Sequence, residues 1–354
     1  MDRVDSKFMQ PGATPGLPVF NQIKRLDGSD IVSLLSVTDD KSLAALFDAA
    51  SMVRRQVFGD KIFMTGFVYF STYCRNECTF CSFRRSNTNK MLRYRKEPEE
   101  ILEVSKRLAN SGVNLIDLTM GEDAEYYGQQ KLATLVKDIK RETGLPVMVS
   151  PGMASRQVIE GLAEAGADWL ALYQETHNKV LFEKLRLYQS YEDRMDAKRY
   201  ARSLGMLIEE GVLTGVGETI EDLAHSILEM KRIGASQMRV MSFCPQPGTP
   251  MEDTPTANRL MELKAIAVMR LLSPEALIPA SLDVDGLGGL MARIRAGANV
   301  VTSIIPPATG LLGVATASKS LGETGRTAKE ASDILKSMGL RAATNEDYSS
   351  FCLR

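Results

Sequence analysis

The sequence predicts an α/β fold, a (β/α)8 barrel of the TIM type, with helices ahead of it and a capping segment behind. Three observations carry the prediction. From Lys61 onward, short apolar runs alternate with longer amphipathic segments, the pattern left when helices cross over between parallel strands. Eight such runs can be counted, over 62–70, 114–120, 146–150, 169–173, 212–216, 237–242, 277–282 and 299–303. The stretch that holds them, 61–305, is close to the ~250 residues at which such barrels fold as one unit.

The elements follow in order. Residues 1 to about 28 are rich in Pro and Gly and are expected to form an irregular lead-in with little chemistry. Two helices complete this first unit, 1–60. One starts near Asp30, and the other spans 40–57, where Leu43, Leu46, Phe47, Ala50 and Val53 recur at helical spacing. In the barrel unit, helices are expected over 98–110, 155–165, 191–210, 219–233 and 257–272, announced by Pro, by Ser or Thr caps, or by an acidic first turn. The last unit, 306–354, holds a long Gly-rich connection over 306–324, expected to cover one mouth of the barrel, and a final helix over 328–338.

Composition narrows the function classes. With 44% hydrophobic and 25% charged residues and a net charge of -1, the chain reads as soluble and globular and lacks the basic excess of a nucleic-acid binder. No run approaches the ~20 apolar residues of a membrane span. The opening Met-Asp-Arg-Val-Asp-Ser-Lys has no apolar signal core, so a cytoplasmic protein with reduced thiols is expected.

In such barrels chemistry sits at the carboxyl ends of the strands. The first strand runs into Cys74, Cys78 and Cys81, a C-x3-C-x2-C array. Three thiolates so spaced can hold three corners of a four-iron cluster, leaving one iron open to a small molecule. Zinc would need a fourth ligand, and the two histidines, His177 and His225, are distant in sequence and read as structural. An odd count of five cysteines argues against a disulfide framework. Four polar residues stand out at the remaining strand ends: Asp117 in the second strand, Arg239 in the sixth, and Ser281 and Asp283 at the end of the seventh. Unpaired, a buried charge costs several kcal/mol, so these residues must meet each other or a charged ligand. One Arg, two Asp and a Ser around a lumen suit a small amino acid, with Arg239 for its carboxylate and the aspartates for its amines.

The cysteine array, with Phe80 before its last cysteine, resembles the signature of the radical S-adenosylmethionine (SAM) superfamily. That resemblance implies a [4Fe-4S] cluster held by Cys74, Cys78 and Cys81, with SAM bound at the open iron and cleaved to a 5′-deoxyadenosyl radical. It also implies a set of SAM contacts. Met120-Gly121-Glu122 resembles the family's Gly-Gly-Glu, which binds the SAM amino group. Strand three offers Ser150. Tyr173 and Glu175 share a face if the strand continues through them. Arg194 matches an arginine that pairs with the methionine carboxylate, and Thr214-Gly215 resembles a segment against adenine.

Within the superfamily, the stretches Tyr69-Phe-Ser-Thr-Tyr-Cys, Asp117-Leu-Thr-Met-Gly-Glu-Asp, Ala171-Leu-Tyr-Gln-Glu-Thr, Leu213-Thr-Gly-Val-Gly, Pro245-Gln-Pro-Gly-Thr-Pro and Ile278-Pro-Ala-Ser-Leu-Asp resemble the methylornithine synthase family of the biotin synthase-like branch. The match covers roughly 40–305. It implies an isomerase that turns L-lysine into (3R)-3-methyl-D-ornithine, the first step of pyrrolysine biosynthesis, by fragmentation and recombination of the carbon skeleton. Asp117, Arg239, Ser281 and Asp283 match the positions that hold the amino acid. A flavodoxin- or ferredoxin-type electron donor and a monomer are expected. The alternative is a biotin synthase or hydrogenase-maturase type of enzyme acting on another small amino acid. Sulfur insertion would need an auxiliary cluster, for which only Cys244 and Cys352 remain.

Overall fold

In the computed structural model, residues 26–87, 93–311, 313 and 326–352 are described. Nearly all of the lead-in and most of the 306–324 connection lie outside them. Two helices come first, α1 (Gly28–Leu35) and α2 (Asp40–Phe58), each opened by an aspartate whose carboxylate accepts from first-turn amides. Eight strands follow: β1 (Lys61–Ser71), β2 (Leu115–Met120), β3 (Val147–Ser150), β4 (Trp169–Ala171), β5 (Leu207–Thr214), β6 (Gln237–Ser242), β7 (Pro279–Ser281) and β8 (Val300–Ile304). Their spatial order is β6-β5-β4-β3-β2-β1-β8-β7, with all paired neighbours parallel. A parallel bridge between Gln237 and Leu277 brings β6 beside β7 and closes the (β/α)8 barrel.

The outer ring consists of α3 (Pro98–Asn110), α4 (Gln129–Thr143), α5 (Arg156–Glu164), α6 (Lys179–Leu185), α7 (Tyr191–Ser203), α8 (Ile220–Arg232), α9 (Arg259–Leu272) and α10 (Leu290–Arg295). The capping chemistry explains several starts. Pro98 stands at the head of α3, Ser190 accepts from the Asp193 amide, and Thr219 forms a reciprocal box with Asp222. The chain ends with α11 (Ala328–Ser337), β9 (Arg341–Ala342) and α12 (Asn345–Cys352), with β9 pairing in parallel with the start of β1. α4, α6, α10, β9 and α12 are additional to the elements expected above. No helix among the described residues is long and apolar enough to cross a membrane.

One expectation is overturned with consequences for the site. The helix expected over 191–210 stops at Ser203, and β5 already begins at Leu207 instead of 212. Gly205, at φ 86°, turns the chain out of the helix. Glu209 and Glu210 fall in the expected helix, yet both are fully buried in β5. Each has a cation beside it: Arg239 Nε lies 2.7 Å from Glu209, and Lys198 pairs with Glu210.

Strand alternation divides the lumen into layers. At the amino-terminal end, Phe63, Leu115, Met148, Trp169, Leu277 and Val300 form an apolar layer. Tyr348 of α12 packs edge-on against Phe63, with ring centroids 5.5 Å apart, and belongs to the same cluster. Two residues further along the strands stand polar groups, among them Asp117 after Leu115, Glu209 after Leu207, Arg239 after Gln237 and Thr302 after Val300. All four are buried.

Candidate active site

Beyond β1 the chain forms the loop that carries the three cysteines, and Cys74, Cys78 and Cys81 all line a cavity at the carboxyl-terminal mouth. The loop is pressed against the end of β2. A Cβ on Gly121 would stand 2.1 Å from the Tyr73 carbonyl oxygen, so only glycine fits there. The Gly121 amide donates to Ser71 O at 2.9 Å and the Arg75 amide to Glu122 O at 3.2 Å. Burial pushes the Cys74 thiol up, and burial together with Cys78 and Cys74 pushes Cys81 up, so the sulfurs are near enough to repel as thiolates. A cationic group among them would relieve that repulsion. Among the described residues no three Cys, His, Asp or Glu side chains converge as one metal ion requires. Three thiols on one loop, lining one cavity, fit a cluster that each of them would hold at one corner.

Around the cysteines, Phe80, Gly121, Glu122, Ser150, Glu175 and Arg194 also line the cavity. Arg194 is 3% exposed, and its Nη2 donates to Tyr173 O at 2.6 Å. Its Nε is buried without a hydrogen-bond partner, an unmet donor beside the cysteines that suits an anionic group such as a carboxylate. Burial, then Arg186 nearby, brings its pKa down to about 9. Tyr173 and Glu175 reach the cavity by a route other than strand alternation. β4 ends at Ala171, and Glu175 sits at φ 68°, a strained conformation for this residue type. Burial raises the Glu175 pKa although Arg186 pairs with it at 2.5 Å.

Two assigned contacts are differently engaged. Glu122 was expected to take an ammonium, but its carboxylate already accepts from Arg75, from Asn76 Nδ2 at 2.6 Å and from the Met153 amide at 3.0 Å. It braces the cysteine loop against β2 and β3. Thr214 and Gly215 do not line the cavity. By alternation Leu213 faces it instead, and the Gly215 and Val216 amides are taken up by Glu218 at 2.7 and 2.9 Å. Gly215, at φ 83°, lies where a Cβ would meet Ala257 at 2.3 Å, so this glycine serves a packed turn.

Deeper in the lumen lie the residues expected to hold an amino acid. Arg239 spends Nε on Glu209 at 2.7 Å and Nη1 on Thr302 Oγ1 at 3.0 Å, while Nη2 has no partner. Burial opposes its charge, but Glu209 keeps the guanidinium protonated. Asp117 accepts from Thr119 Oγ1 at 2.9 Å through Oδ1, and its buried Oδ2 has no partner. Burial, then the neighbouring Glu209, pushes its pKa up to about 8. Arg239 and Asp283 line the cavity, whereas Asp117 and Ser281 do not, and Ser281 accepts from the Asp283 amide at 3.3 Å. The Asp283 carboxylate is held by Tyr69 Oη at 2.8 Å, Ser303 Oγ at 2.8 Å and Arg326 Nη1 at 2.8 Å.

Glu209, Tyr69, Arg186 and Arg326 have roles here that the sequence reading does not assign. Strand alternation from Leu207 would have found Glu209 had β5 been placed correctly. Cys244 also lines the cavity, while Cys352 lies in α12 at the other end of the barrel, so the two cannot share a second cluster. His177 is buried, with Nδ1 2.8 Å from Tyr191 Oη, in keeping with a structural role.

The radical SAM superfamily model matches residues 68–230, from within β1 into α8. A 3-methylornithine synthase of Methanosarcina barkeri is 43% identical over 327 residues, covering 92% of this chain and 93% of the relative. The [FeFe] hydrogenase maturase subunit HydE of Thermotoga maritima is 36% identical over 270 residues, covering 75% of this chain and 77% of that protein. A crystal structure of methylornithine synthase (PylB) superimposes with a TM-score of 0.89 at 42% identity, over 94% of this chain and 99% of that one.

Proposed function

Because the chain belongs to the 3-methylornithine synthase family of radical SAM enzymes, we propose that it isomerises L-lysine to (3R)-3-methyl-D-ornithine, the first step of pyrrolysine biosynthesis. It is an enzyme that uses a [4Fe-4S] cluster and SAM and acts on a small amino acid. When bound, these cofactors supply a carbon radical able to abstract an unactivated substrate hydrogen. Cys74, Cys78 and Cys81 would hold the cluster. Gly121, Ser150, Glu175 and Arg194 would face SAM, with Phe80 packing beside them.

The observation that carries the substrate reading is a pair of unmet groups, Asp117 Oδ2 and Arg239 Nη2, in one buried lumen below the cysteines. Arg239 Nη2 would take the carboxylate of lysine and Asp117 Oδ2 one ammonium group. Asp283, fixed by Tyr69, Ser303 and Arg326 and backed by Ser281, would turn toward the other amine. Glu209 would hold Arg239 in place without blocking Nη2. Three acids, Asp117, Glu209 and Asp283, stand against two arginines, Arg239 and Arg326. With Asp117 ionised the lumen carries a surplus negative charge that complements the extra ammonium of lysine.

Fragmentation and recombination require both pieces to stay together. The apolar layer beneath and the rings of Phe67, Tyr69 and Tyr173 would keep them close and dry. A flavodoxin- or ferredoxin-type donor, a cytoplasmic setting and a monomeric enzyme complete the reading. The test is anaerobic reconstitution with iron and sulfide, followed by SAM, a reductant and isotopically labelled L-lysine. Labelled 3-methylornithine is the expected product by mass spectrometry. Formation of 5′-deoxyadenosine without that isomer would overturn the substrate and keep the enzyme class.

A further inference from the structure

Between α6 and α7 the chain turns over the cysteine loop and places two donors on one sulfur. Gln189 Nε2 lies 3.1 Å from Cys78 Sγ, and Arg186 Nη1 lies 3.6 Å from the same atom. Neither residue belongs to a recognised motif. Both are firmly held. Arg186 Nη2 donates to Glu175 Oε1 at 2.5 Å, its guanidinium lies 5.5 Å from the centroid of the Phe80 ring, and its side chain is 11% exposed. Gln189 Oε1 accepts from Arg194 Nη1 at 3.2 Å and Arg186 Nη1 at 3.4 Å. Because that oxygen is taken by two arginines, the amide has one orientation, with its NH2 toward the sulfur.

We propose that Arg186 and Gln189 are positioning residues that donate to the Cys78 sulfur and set the reduction potential of the cluster. Reduction adds an electron whose density spreads onto the ligand sulfurs. Hydrogen bonds and a fixed positive charge there stabilise the reduced form and raise the potential. Burial strengthens the effect, because little water screens Arg186 from the sulfur. The same two side chains contact Glu175 and Arg194, so the groups assigned to SAM and the sulfur share one rigid network.

The inference rests on Cys74, Cys78 and Cys81 holding the cluster, and the iron and sulfide content of the reconstituted parent tests that separately. Arg186→Met and Gln189→Leu are then compared with the parent in full-length, reconstituted protein by redox titration monitored by electron paramagnetic resonance. Both variants are expected to have a lower midpoint potential. Arg186→Met should shift the reduction equilibrium at least tenfold, about 59 mV for one electron, and Arg186→Lys should recover part of that shift. Gln189→Leu leaves the Arg186 to Glu175 pair intact and reports on the hydrogen bond alone. Unchanged potentials at parental iron and sulfide content overturn the proposal. Failure of both variants to assemble a cluster also overturns it, since the two residues would then only support the loop.

Discussion

Arg239→Ala is expected to remove lysine turnover while SAM cleavage without substrate survives. The expected loss in kcat/KM is roughly 10²- to 10³-fold, the scale on which removing one partner of a buried, hydrogen-bonded charge pair is felt. Stability should fall too, by about 3 to 5 kcal/mol, because Glu209 would be left buried without its cation, with only Tyr173 and Gln237 donating to it. The pairing partners separate the two effects. Adding Glu209→Gln to Arg239→Ala should restore much of the thermal stability and none of the turnover. Parallel loss of SAM cleavage and lysine conversion in the double variant would sink the carboxylate-anchor role of Arg239.

Lysine affinity should depend steeply on pH. Burial and then Glu209 hold the Asp117 pKa at about 8, well above the ordinary carboxylate range. In the empty enzyme at pH 7 this carboxyl is mostly protonated, and the lumen then holds two acids and two arginines in balance. An arriving ammonium favours the ionised form, so binding below pH 8 releases a proton. The apparent dissociation constant should rise about tenfold for each unit that pH falls below 8. Calorimetric titrations in buffers of different ionisation enthalpy read the proton directly. Asp117→Asn should bind lysine weakly and without this dependence, and a wild-type affinity flat between pH 6 and 8 would exclude Asp117 as the ammonium partner. The folding linkage has the matching sign. The folded pKa is raised, so the contribution of Asp117 to stability is complete below about pH 4 and is lost as pH rises through about 8.

The barrel and its mouth were legible because both leave local signals. Alternating apolar runs marked all eight strands, and the cysteine spacing placed a cluster at the end of the first. Arg239, Asp117 and Asp283 stood out because charge within an apolar run is expensive unless matched. Glu209 was missed for the opposite reason. Its partner is 30 residues away in sequence, and it fell within the helix expected over 191–210. Arg326 was hidden in the same way, joined to Asp283 across 43 residues. Local pattern also does not show that Gly215 answers a close approach by Ala257, or that Glu122 takes partners from two separate segments, Arg75 with Asn76 on one and Met153 on the other. Such pairings exist only once the chain has folded.

The plugged floor of the barrel has a kinetic consequence. Tyr348 and the apolar layer around Phe63 and Trp169 close the amino-terminal end, and the cysteines ring the other. Asp117 and Arg239 lie between, in mid-strand, so a lysine held by them would sit inside a SAM held at the mouth and would pass it on the way in. Binding is therefore a queue: the amino acid enters first and its isomer departs last. In rapid mixing, protein premixed with SAM should take up lysine more slowly than protein that meets lysine first. Equal uptake in either order of addition would mean that lysine has a second way in.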